Sequence, residues 1–338
     1  MKAAVLHEFK HPLVIEEIER PEPGPGDVLI QVEACGVCHS DVHVADGDWR
    51  QFAGIVKKPL VPGHEIAGCV VEKGAAVDGL SVGDHVGVPW LHWTCGECDF
   101  CRAGFENLCA AQKITGVTVD GGYAEFVRAP ASHTERIPEG LSSTEAAPLF
   151  CAGVTVYRAL KQAQIAPGQR LAVFGIGGLG HLAVQIGIVF GAEVIALDLY
   201  EDKLALAKSL GASATLNAAA PGAAKVVRGQ GGVHVAIVTS PSRAAYDLAF
   251  NCLRPTGTLL AVGLPAENVC FPPIMMAAKE AHIRAIAVGT RQDLRDVLAI
   301  AAAGKVRCKV LARPLDAVND VLEELRRGQV TGRIVLVP

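Results

Sequence analysis

The sequence predicts a mixed α/β chain, with a β-rich first part and a doubly wound parallel sheet in its second part. Residues 1 to about 150 contain short β-branched runs separated by Gly and Pro, such as DVLIQVEA at 27–34, EIAGCVVEKG at 65–74 and DHVGVP at 84–89. This pattern is typical of small antiparallel sheets or a partly closed barrel. After residue 150, short continuous apolar runs alternate with helix-like segments, which indicates a parallel sheet covered on both faces.

The strands predicted for the parallel sheet share a short, uninterrupted apolar character. They are RLAVFGI at 170–176, EVIALDL at 193–199, the weaker ATLNA at 214–218, HVAIVTS at 234–240, TLLAVGL at 258–264 and IRAIAVG at 283–289. Helix-like segments such as GHLAVQIGIVFGA and YEDKLALAKSLGA lie between them. The tail, 290–338, contains the helix DLRDVLAIAAAG, a second helix near 318–327 and a strand, GRIVLVP. Periodicity leaves open whether this tail belongs to the first part.

The composition excludes several classes of protein. A chain of 338 residues that is half apolar is long enough for two domains with large cores. Its net charge of -4 provides no basic surface for nucleic acid or an anionic membrane. His7, Glu8 and Lys10 interrupt the start where a secretory signal needs an apolar stretch, and the most apolar region, 182–199, is broken by charged and amide side chains. We therefore expect a cytoplasmic protein.

The stretch CGECDFCRAGFENLC contains four cysteines in the spacing of a metal site, namely Cys95, Cys98, Cys101 and Cys109. The chain has 11 cysteines, an odd number, and the cytosol keeps thiols reduced, so a disulfide framework explains them poorly. Four thiolates complete a tetrahedral zinc site and leave no open position, so this zinc is expected to be structural. A redox-active C-x-x-C pair or chance clustering is the alternative.

The sequence GIGGLG, which joins the first parallel strand to its helix, has the G-x-G-x-x-G pattern of dinucleotide-binding proteins. Gly175, Gly177 and Gly180 occupy the glycine positions, with Gly178 and Leu179 between them, and Asp198 ends the next strand. The glycines permit a tight turn, close approach of the backbone to a pyrophosphate and close helix packing, and the helix N-terminus attracts phosphate. A helix N-terminus that binds no dinucleotide is the alternative.

A second metal set can be assembled from scattered residues. Cys38, His64 and Cys151 would form a Cys₂His set with one position open, which is an arrangement of catalytic zinc. Spacing alone leaves other interpretations open. A buried cysteine is more often a small hydrophobic residue, and His64 alone could be a core histidine with satisfied hydrogen bonds.

Over essentially its whole length, the sequence resembles the zinc-dependent medium-chain alcohol dehydrogenases, most closely bacterial members of about this size. The motifs that carry the match are GVCHSDVH at 36–43, PGHEIAG at 62–68, the four-cysteine stretch, DGGYAEF at 120–126, the Cys151 segment, GIGGLG with Asp198, VGTR at 288–291 and GRIVLV at 332–337. The resemblance implies a GroES-like catalytic domain, 1–150 completed by 290–338, and a Rossmann NAD-binding domain, 151–289. It places the active site in the cleft.

The resemblance also assigns roles to the metal residues. It makes Cys38, His64 and Cys151 the ligands of a catalytic zinc, and gives the four-cysteine lobe a structural zinc, so that each subunit binds two Zn²⁺. Glu65 resembles the family's carboxylate behind the catalytic ion. Asp41 resembles the acid that orients the zinc-bound histidine, and a simple turn cap is its alternative.

Further roles follow from the same resemblance. Ser40 resembles the hydroxyl beside the reacting oxygen, and His43 the base on the solvent side, with a surface histidine as its alternative. Trp49 and Trp90 resemble pocket aromatics, although core tryptophans would look the same. The remaining residues resemble cofactor contacts: His39, Thr155, Lys203, Val288 and Arg333, the last with an exposed strand residue as its alternative.

The sequence therefore predicts a zinc-dependent alcohol dehydrogenase that transfers hydride reversibly between a primary or secondary alcohol and NAD⁺. NAD(H) is expected over NADP(H) because Leu199 and Tyr200, not an arginine, follow Asp198. The alternatives are a carbonyl or aromatic-aldehyde reductase on the same scaffold and a non-catalytic zinc and dinucleotide binding protein. Family similarity favours a homotetramer, with a dimer as the alternative.

Overall fold

The computed structural model describes residues 1–50, 53–265 and 267–338. The described residues divide into two compact units. Unit 1 consists of Met1–Val154, Val288–Gly304 and Cys308–Pro338, and unit 2 consists of Thr155–Ala287 and Lys305–Arg307. Most of the tail whose place periodicity left open therefore lies in unit 1.

The strands and helices are numbered along the chain. The strands are β1 Lys2–Val5, β2 Val14–Glu17, β3 Asp27–Val37, β4 Glu65–Lys73, β5 His85–Val88, β6 Leu91–Trp93, β7 Lys113–Ile114, β8 Phe126–Pro130, β9 Glu135–Arg136, β10 Arg170–Phe174, β11 Glu193–Asp198, β12 Ala214–Asn217, β13 Val233–Val238, β14 Leu253–Ala261, β15 His282–Ala285, β16 Val310–Pro314 and β17 Arg333–Val337. The α-helices are α1 His39–Asp46, α2 Asp99–Arg102, α3 Ser143–Ala146, α4 Ala152–Gln162, α5 Gly180–Val189, α6 Glu201–Ser209, α7 Ala223–Gly229, α8 Arg243–Cys252, α9 Pro273–Lys279, α10 Arg291–Ala302 and α11 Val318–Arg326. Single turns of 3₁₀-helix occur at Ala53–Ile55, Glu106–Leu108, Ala131–His133, Ala147–Phe150 and Leu315–Ala317.

Unit 1 is organised by the long strand β3. In the part of the chain that the structure describes, its main sheet has the order β16-β17-β3-β4-β5-β9, and β8 also pairs with β3. The pairs are antiparallel except for the parallel pair of β16 and β17. Nine of the eleven β3 residues are at least partly buried, because β3 lies inside the sheet and packs against the core of the unit.

Unit 2 contains the parallel sheet that the sequence predicts. Among the described residues, its six strands have the order β12-β11-β10-β13-β14-β15, and every pair is parallel. The central strands are almost continuously buried, which explains why their sequences are apolar throughout rather than alternating. The strand order reverses between β10 and β13, and open sheets of this kind bind ligands at the carboxyl ends of the strands at such a point.

The last predicted strand of this sheet is shorter than expected. IRAIAVG was expected to form a strand at 283–289, but β15 ends at Ala285 and its residues are all exposed. Val288 has a φ of +40°, outside the β region, so the apolar run cannot continue as a strand. Because β15 is an edge strand and the chain enters unit 1 at residue 288, these apolar residues do not form a buried strand.

Among the described residues, no helix has both the length and the apolar character needed to cross a bilayer.

The glycines of GIGGLG give a prediction for the stability of unit 2. A Cβ on Gly180, at the start of α5, would lie 1.8 Å from the carbonyl oxygen of Gly175, whereas a Cβ on Gly177 would meet nothing within 4 Å. We expect Gly180→Ala to lower the free energy of unfolding by about 1–3 kcal/mol through overpacking, although alanine otherwise favours a helix. Gly177→Ala is the matched control and is expected to unfold like the wild type. Thermal unfolding followed by circular dichroism measures both, and equal midpoints for the two variants would contradict the packing role of Gly180.

Candidate active site

Three separate elements of unit 1 bring one group of metal-binding side chains together. The group consists of four buried residues: Cys38, His64, Glu65 and Cys151. Each offers one possible ligand atom, and these four atoms all lie within 4.8 Å of one another. Cys38 lies between the end of β3 and the start of α1, His64 precedes β4, and Cys151 precedes α4. The structure thus brings together the scattered set that the sequence proposed.

Strand register accounts for this convergence. Gly36 of β3 pairs with Glu65 of β4, so Cys38 and His64 leave the same end of two neighbouring antiparallel strands. On the other side of β3, Val37 pairs with Ile334 of β17, and Arg333 therefore reaches the same end of the sheet. A Cβ on Gly36 would lie 2.0 Å from the Glu65 carboxylate, so only glycine leaves room for that side chain.

The Asp41 carboxylate orients His64. Asp41 Oδ1 lies 2.9 Å from His64 Nδ1, and Asp41 Oδ2 accepts the backbone N–H of Cys38 at 2.8 Å. Asp41 is therefore both the cap of α1 and the partner of the histidine, the two roles that the sequence left as alternatives. A hydrogen bond at Nδ1 leaves Nε2 as the atom available for a ligand.

The geometry of this group fits a zinc ion. His64 Nε2 is buried and has no hydrogen-bond partner among the described residues, which is costly unless the atom binds something. Its neighbours are two cysteine sulfurs, and two thiolates with one imidazole form a set that zinc accepts in catalytic sites, where a fourth position stays open. The residues present therefore suit the zinc ion that the sequence predicts.

The pKa values of the two thiols in this group are shifted in opposite directions. A hydrogen bond from the Cys151 thiol lowers the pKa of Cys38 well below its ordinary value. His64 and Arg333 also lower this pKa, and burial opposes the shift. The same hydrogen bond and burial raise the pKa of Cys151. Burial opposes a charge on His64, but Asp41 and Cys38 together outweigh it and raise the pKa of that imidazole. A metal ion that binds here must therefore displace protons from Cys151 and His64.

Glu65 and Arg333 form a buried ion pair beside this group. An Arg333 nitrogen donates to Glu65 Oε1, and Arg333 is only 5% exposed. Burial raises the pKa of Glu65 to about 7 despite the nearby guanidinium. The second carboxylate oxygen, Oε2, is buried and has no hydrogen-bond partner among the described residues. Arg333, expected at a cofactor pyrophosphate or on an exposed strand, thus lies behind the metal group.

Helix α1 places hydroxyl and imidazole groups next to the metal group. Ser40 Oγ lies 3.6 Å from Cys38 Sγ, and His43 follows three residues later on the same helix face. The His43 side chain is 13% exposed, contacts Asp48 at 3.4 Å and stacks on Trp49 at a ring distance of 4.9 Å. The ring of His39 lies 5.6 Å from that of His43, and burial lowers the pKa of His39.

An apolar cavity of unit 1 adjoins the same residues. Its volume is about 400 Å³ including its opening to solvent, and it is lined by His43, Val44, Gly47, Trp49, Ala53, Val56, Trp90, Ile114 and Val117. The Trp90 ring meets the His64 ring edge to face at 4.8 Å, so the cavity reaches the metal group. Both predicted pocket tryptophans therefore line one cavity.

The four-cysteine lobe forms a second compact group. The sulfur atoms of its four cysteines all lie within 4.8 Å of one another: Cys95, Cys98, Cys101 and Cys109. Backbone N–H groups of Glu97 and Cys98 lower the pKa of Cys95 to about 6, which favours the thiolate that binds metal. Outside the cysteines, Glu106 of the lobe forms a bidentate ion pair with Arg291 at the start of α10, with a shortest distance of 2.6 Å.

In unit 2, the GIGGLG turn lies against Asp198. Asp198 Oδ2 accepts the backbone N–H of Ile176 at 2.6 Å, and Oδ1 accepts those of Leu199 and Tyr200 at 2.7 and 3.1 Å. These bonds fix the carboxylate at the end of β11, beside the turn at the end of β10, where a dinucleotide ribose is expected. Gly177, Gly178 and Leu179 lie in the turn.

The remaining predicted cofactor contacts lie in both units. Lys203 is on α6 with its ammonium 4.9 Å from the Tyr200 ring centre. Thr155 is buried in α4. Val288 has a positive φ, which is a costly conformation for a β-branched residue. Strained conformations of this kind cluster at functional sites.

Comparisons with known proteins agree with this geometry. Two family models match the chain, "Alcohol dehydrogenase GroES-like domain" over residues 24–139 and "Zinc-binding dehydrogenase" over residues 178–303. An alcohol dehydrogenase of Geobacillus stearothermophilus is 47% identical over 99% of this chain and 99% of its own. The chain belongs to the zinc-dependent medium-chain alcohol dehydrogenase family. The predicted family, fold class and enzyme class are thereby confirmed.

Solved structures support the same assignment. An alcohol dehydrogenase from Aeropyrum pernix has a TM-score of 0.92 and 39% identity, with all of both chains covered. An acetophenone reductase from Geotrichum candidum, solved in complex with NAD, has a TM-score of 0.91 and 30% identity, covering 100% of this chain and 97% of its own. This member of the family is thus a zinc-dependent oxidoreductase of alcohols or aldehydes that uses a nicotinamide cofactor, with a GroES-like and a Rossmann fold.

Two polar residues near the metal groups were not assigned from the sequence. Tyr123 contacts Asp41, and Arg291 holds the four-cysteine lobe through Glu106. Both lie in motifs that carried the family resemblance, DGGYAEF and VGTR, so the sequence marked their segments. It could not give their partners, which are 82 and 185 residues away along the chain.

Proposed function

We propose that this enzyme oxidises primary or secondary alcohols reversibly with NAD⁺, and that each chain binds two zinc ions with different roles. Cys38, His64 and Cys151 hold the catalytic ion, and the four-cysteine lobe holds a structural one. The observation that carries the proposal is the buried His64 Nε2, which lacks a hydrogen-bond partner among the described residues and lies beside two cysteine sulfurs. When bound there, zinc supplies a Lewis acid that stabilises negative charge on the substrate oxygen.

The side chains around the ligands keep the site in one arrangement. Asp41 fixes the His64 imidazole through Nδ1, so Nε2 stays directed at the ligand group. Arg333 compensates the charge of Glu65, which would otherwise be isolated in a buried position. Glu65, whose Oε2 has no hydrogen-bond partner in the described part of the chain, provides a carboxylate oxygen near the ligand atoms.

Ser40 and His43 are proposed to move the proton that an alcohol loses. Ser40 Oγ is near the ligand Cys38 and can accept a proton from a substrate hydroxyl while passing its own onward. His43 lies one turn further along α1 and is partly exposed, so it can release the proton to solvent. His39, Thr155, Lys203 and Val288 are proposed to contact the cofactor, and so is Arg333 in addition to its ion pair.

The apolar cavity is proposed to hold the carbon skeleton of the substrate. Trp49 and Trp90 provide apolar and aromatic walls at the entrance to the metal group. A carbonyl or aromatic-aldehyde reductase activity remains the second candidate function, since these walls suit an aromatic group and a reductase of acetophenone has the same fold. Rates with ethanol, propanol and benzyl alcohol, and with the corresponding aldehydes, distinguish the two directions and the two substrate classes.

The catalytic domain, expected at 1–150 with 290–338, is proposed to correspond to unit 1, and the NAD-binding domain, expected at 151–289, to unit 2. The bounds of the units differ from these by a few residues, so that Cys151 lies in unit 1. A homotetramer is the proposed assembly, with a dimer as the alternative. Association of chains, though not their number, is supported by β15, an exposed sheet edge, and by the exposed apolar side chains of Ile274 and Met275 on α9. Light scattering in solution tests this, and a mass of a single 35.3 kDa chain would contradict it. None of the eleven cysteines, all of which lie in the described residues, forms a disulfide, which supports a cytoplasmic location.

The two metal groups are expected to respond differently to loss of a ligand. Cys38→Ala should remove activity and one zinc ion per chain while leaving the fold intact, because the four-cysteine lobe remains. Cys98→Ala should mainly lower the midpoint of thermal unfolding, because a structural zinc contributes directly to folding. Metal analysis, unfolding and NADH formation measure the three quantities. Fully active wild-type enzyme with one zinc per chain would refute the proposal.

The proton route gives a second prediction. Ser40→Ala should lower turnover about 10²- to 10⁴-fold, the range for loss of an acid–base group, while Ser40→Thr keeps a hydroxyl and should have a small effect. Zinc content should stay at the wild-type value in both variants, so the comparison isolates the hydroxyl. Near-normal turnover of the alanine variant would show that the proton leaves by another route.

Cofactor choice gives a third prediction. Asp198 should favour NAD⁺, because its carboxylate accepts hydrogen bonds from a ribose diol and repels a 2′-phosphate. Two like charges about 4 Å apart near a protein surface repel by about 4 kcal/mol, which salt reduces, and Lys203 also attracts a phosphate. A preference of at least about tenfold in kcat/KM should remain, and Asp198→Ala should reduce it. If the wild type used both cofactors equally, or the variant kept the same ratio, Asp198 would not determine the choice.

A further inference from the structure

Tyr123, in the DGGYAEF motif, belongs to a segment that is hydrogen-bonded to the residues leading into His64. The backbone N–H of Tyr123 donates to Pro62 O at 3.0 Å, and that of Gly122 donates to Gly63 O at 2.9 Å. The tyrosine is fully buried. Its position relative to the chain before His64 is therefore fixed by the backbone and not only by side-chain packing.

The ring of Tyr123 lies against the bare backbone of Gly63. A Cβ on Gly63 would be 2.5 Å from Tyr123 Cδ1, and Gly63 has a φ of +93°, which favours glycine. The aromatic ring thus occupies the space that a side chain next to His64 would need. This close packing directs the hydroxyl toward Asp41.

The hydroxyl of Tyr123 donates to Asp41 Oδ2 at 2.9 Å. A carboxylate only accepts hydrogen bonds, so the phenol is the donor. Oδ2 therefore has two donors, Tyr123 and the N–H of Cys38, while Oδ1 is left to His64 Nδ1. Two donors on one oxygen restrict rotation of the carboxylate, and the orientation of the His64 ring depends on that restriction.

We propose that Tyr123 is a positioning residue for the catalytic metal, acting through Asp41 on the His64 imidazole. The inference rests on the proposed assignment of Cys38, His64 and Cys151 as ligands. An ordinary core tyrosine would contribute only its ring and its own hydrogen bond to stability. A positioning residue also changes how firmly the ligand set holds its ion.

The structure offers a conservative variant and a matched control. Tyr123→Phe keeps the ring and the backbone bonds and removes only the hydroxyl. Tyr246 is also buried, and its hydroxyl donates to the backbone oxygen of Gly263 in unit 2, which contains none of the proposed zinc ligands. Tyr246→Phe therefore removes a comparable buried hydrogen bond from a place where it cannot act on the metal.

The experiment measures the rate at which the zinc-loaded enzyme releases each ion to a chelator. Each ion is expected to give its own kinetic phase of zinc release. The phase that is missing in Cys38→Ala belongs to the catalytic ion. In Tyr123→Phe this phase should be about tenfold faster, and the other phase should be unchanged. Tenfold is the lower end of the range for mutation of the residues that orient a metal ligand. Tyr246→Phe should leave both phases unchanged, even if its unfolding midpoint falls as much as that of Tyr123→Phe.

A double variant separates positioning from general weakening. If Tyr123 acts through Asp41, adding Tyr123→Phe to Asp41→Asn should accelerate release by much less than it does in the wild type. Equal acceleration in the two backgrounds would overturn the inference. Unchanged release in Tyr123→Phe would overturn it while leaving the ligand assignment intact, and a wild type without the Cys38-dependent phase would overturn both.

Discussion

The buried Asp41 carboxylate is the group on which the rest of the proposed catalytic site depends. A carboxylate removed from water is costly unless hydrogen bonds satisfy it, and Asp41 receives them from the backbone of Cys38, from His64 and from Tyr123. These partners come from the start of α1, the residue before β4 and the loop before β8. One satisfied charge therefore joins three segments of unit 1 and fixes the orientation of a proposed ligand.

The register of the central strands supplies the second constraint. Because β3 pairs with both β4 and β17, Cys38, His64 and Arg333 emerge at one end of the sheet. Arg333 comes from the last strand of the chain, and its ion pair with Glu65 leaves no uncompensated charge behind the ligands. The catalytic group is thus built by long-range pairing, whereas the four-cysteine lobe lies within one short stretch.

This difference explains how much could be predicted from the sequence. The cysteine lobe, the GIGGLG turn and Asp198 are local patterns, so residue spacing alone indicated their chemistry. Spacing could not join Cys38, His64 and Cys151, because only the sheet register and the chain after residue 150 bring them together, and the family resemblance was needed. The same limit applies to the contact of Tyr123 with Asp41 and to the burial of Arg333. It also applies to the end of β15 at Ala285 and to the positive φ of Val288, neither of which an apolar run reveals.

Asp41 is proposed to hold His64 so that its Nε2 completes an open metal site with Cys38 and Cys151. Anomalous scattering at the zinc absorption edge, from crystals of the zinc-loaded enzyme, tests it most directly. Two peaks per chain are expected, one inside the four-cysteine lobe and one at about 2.3 Å from Cys38 Sγ and Cys151 Sγ and about 2.0–2.1 Å from His64 Nε2. A single peak in the lobe, or a second peak bound through His64 Nδ1, would contradict it.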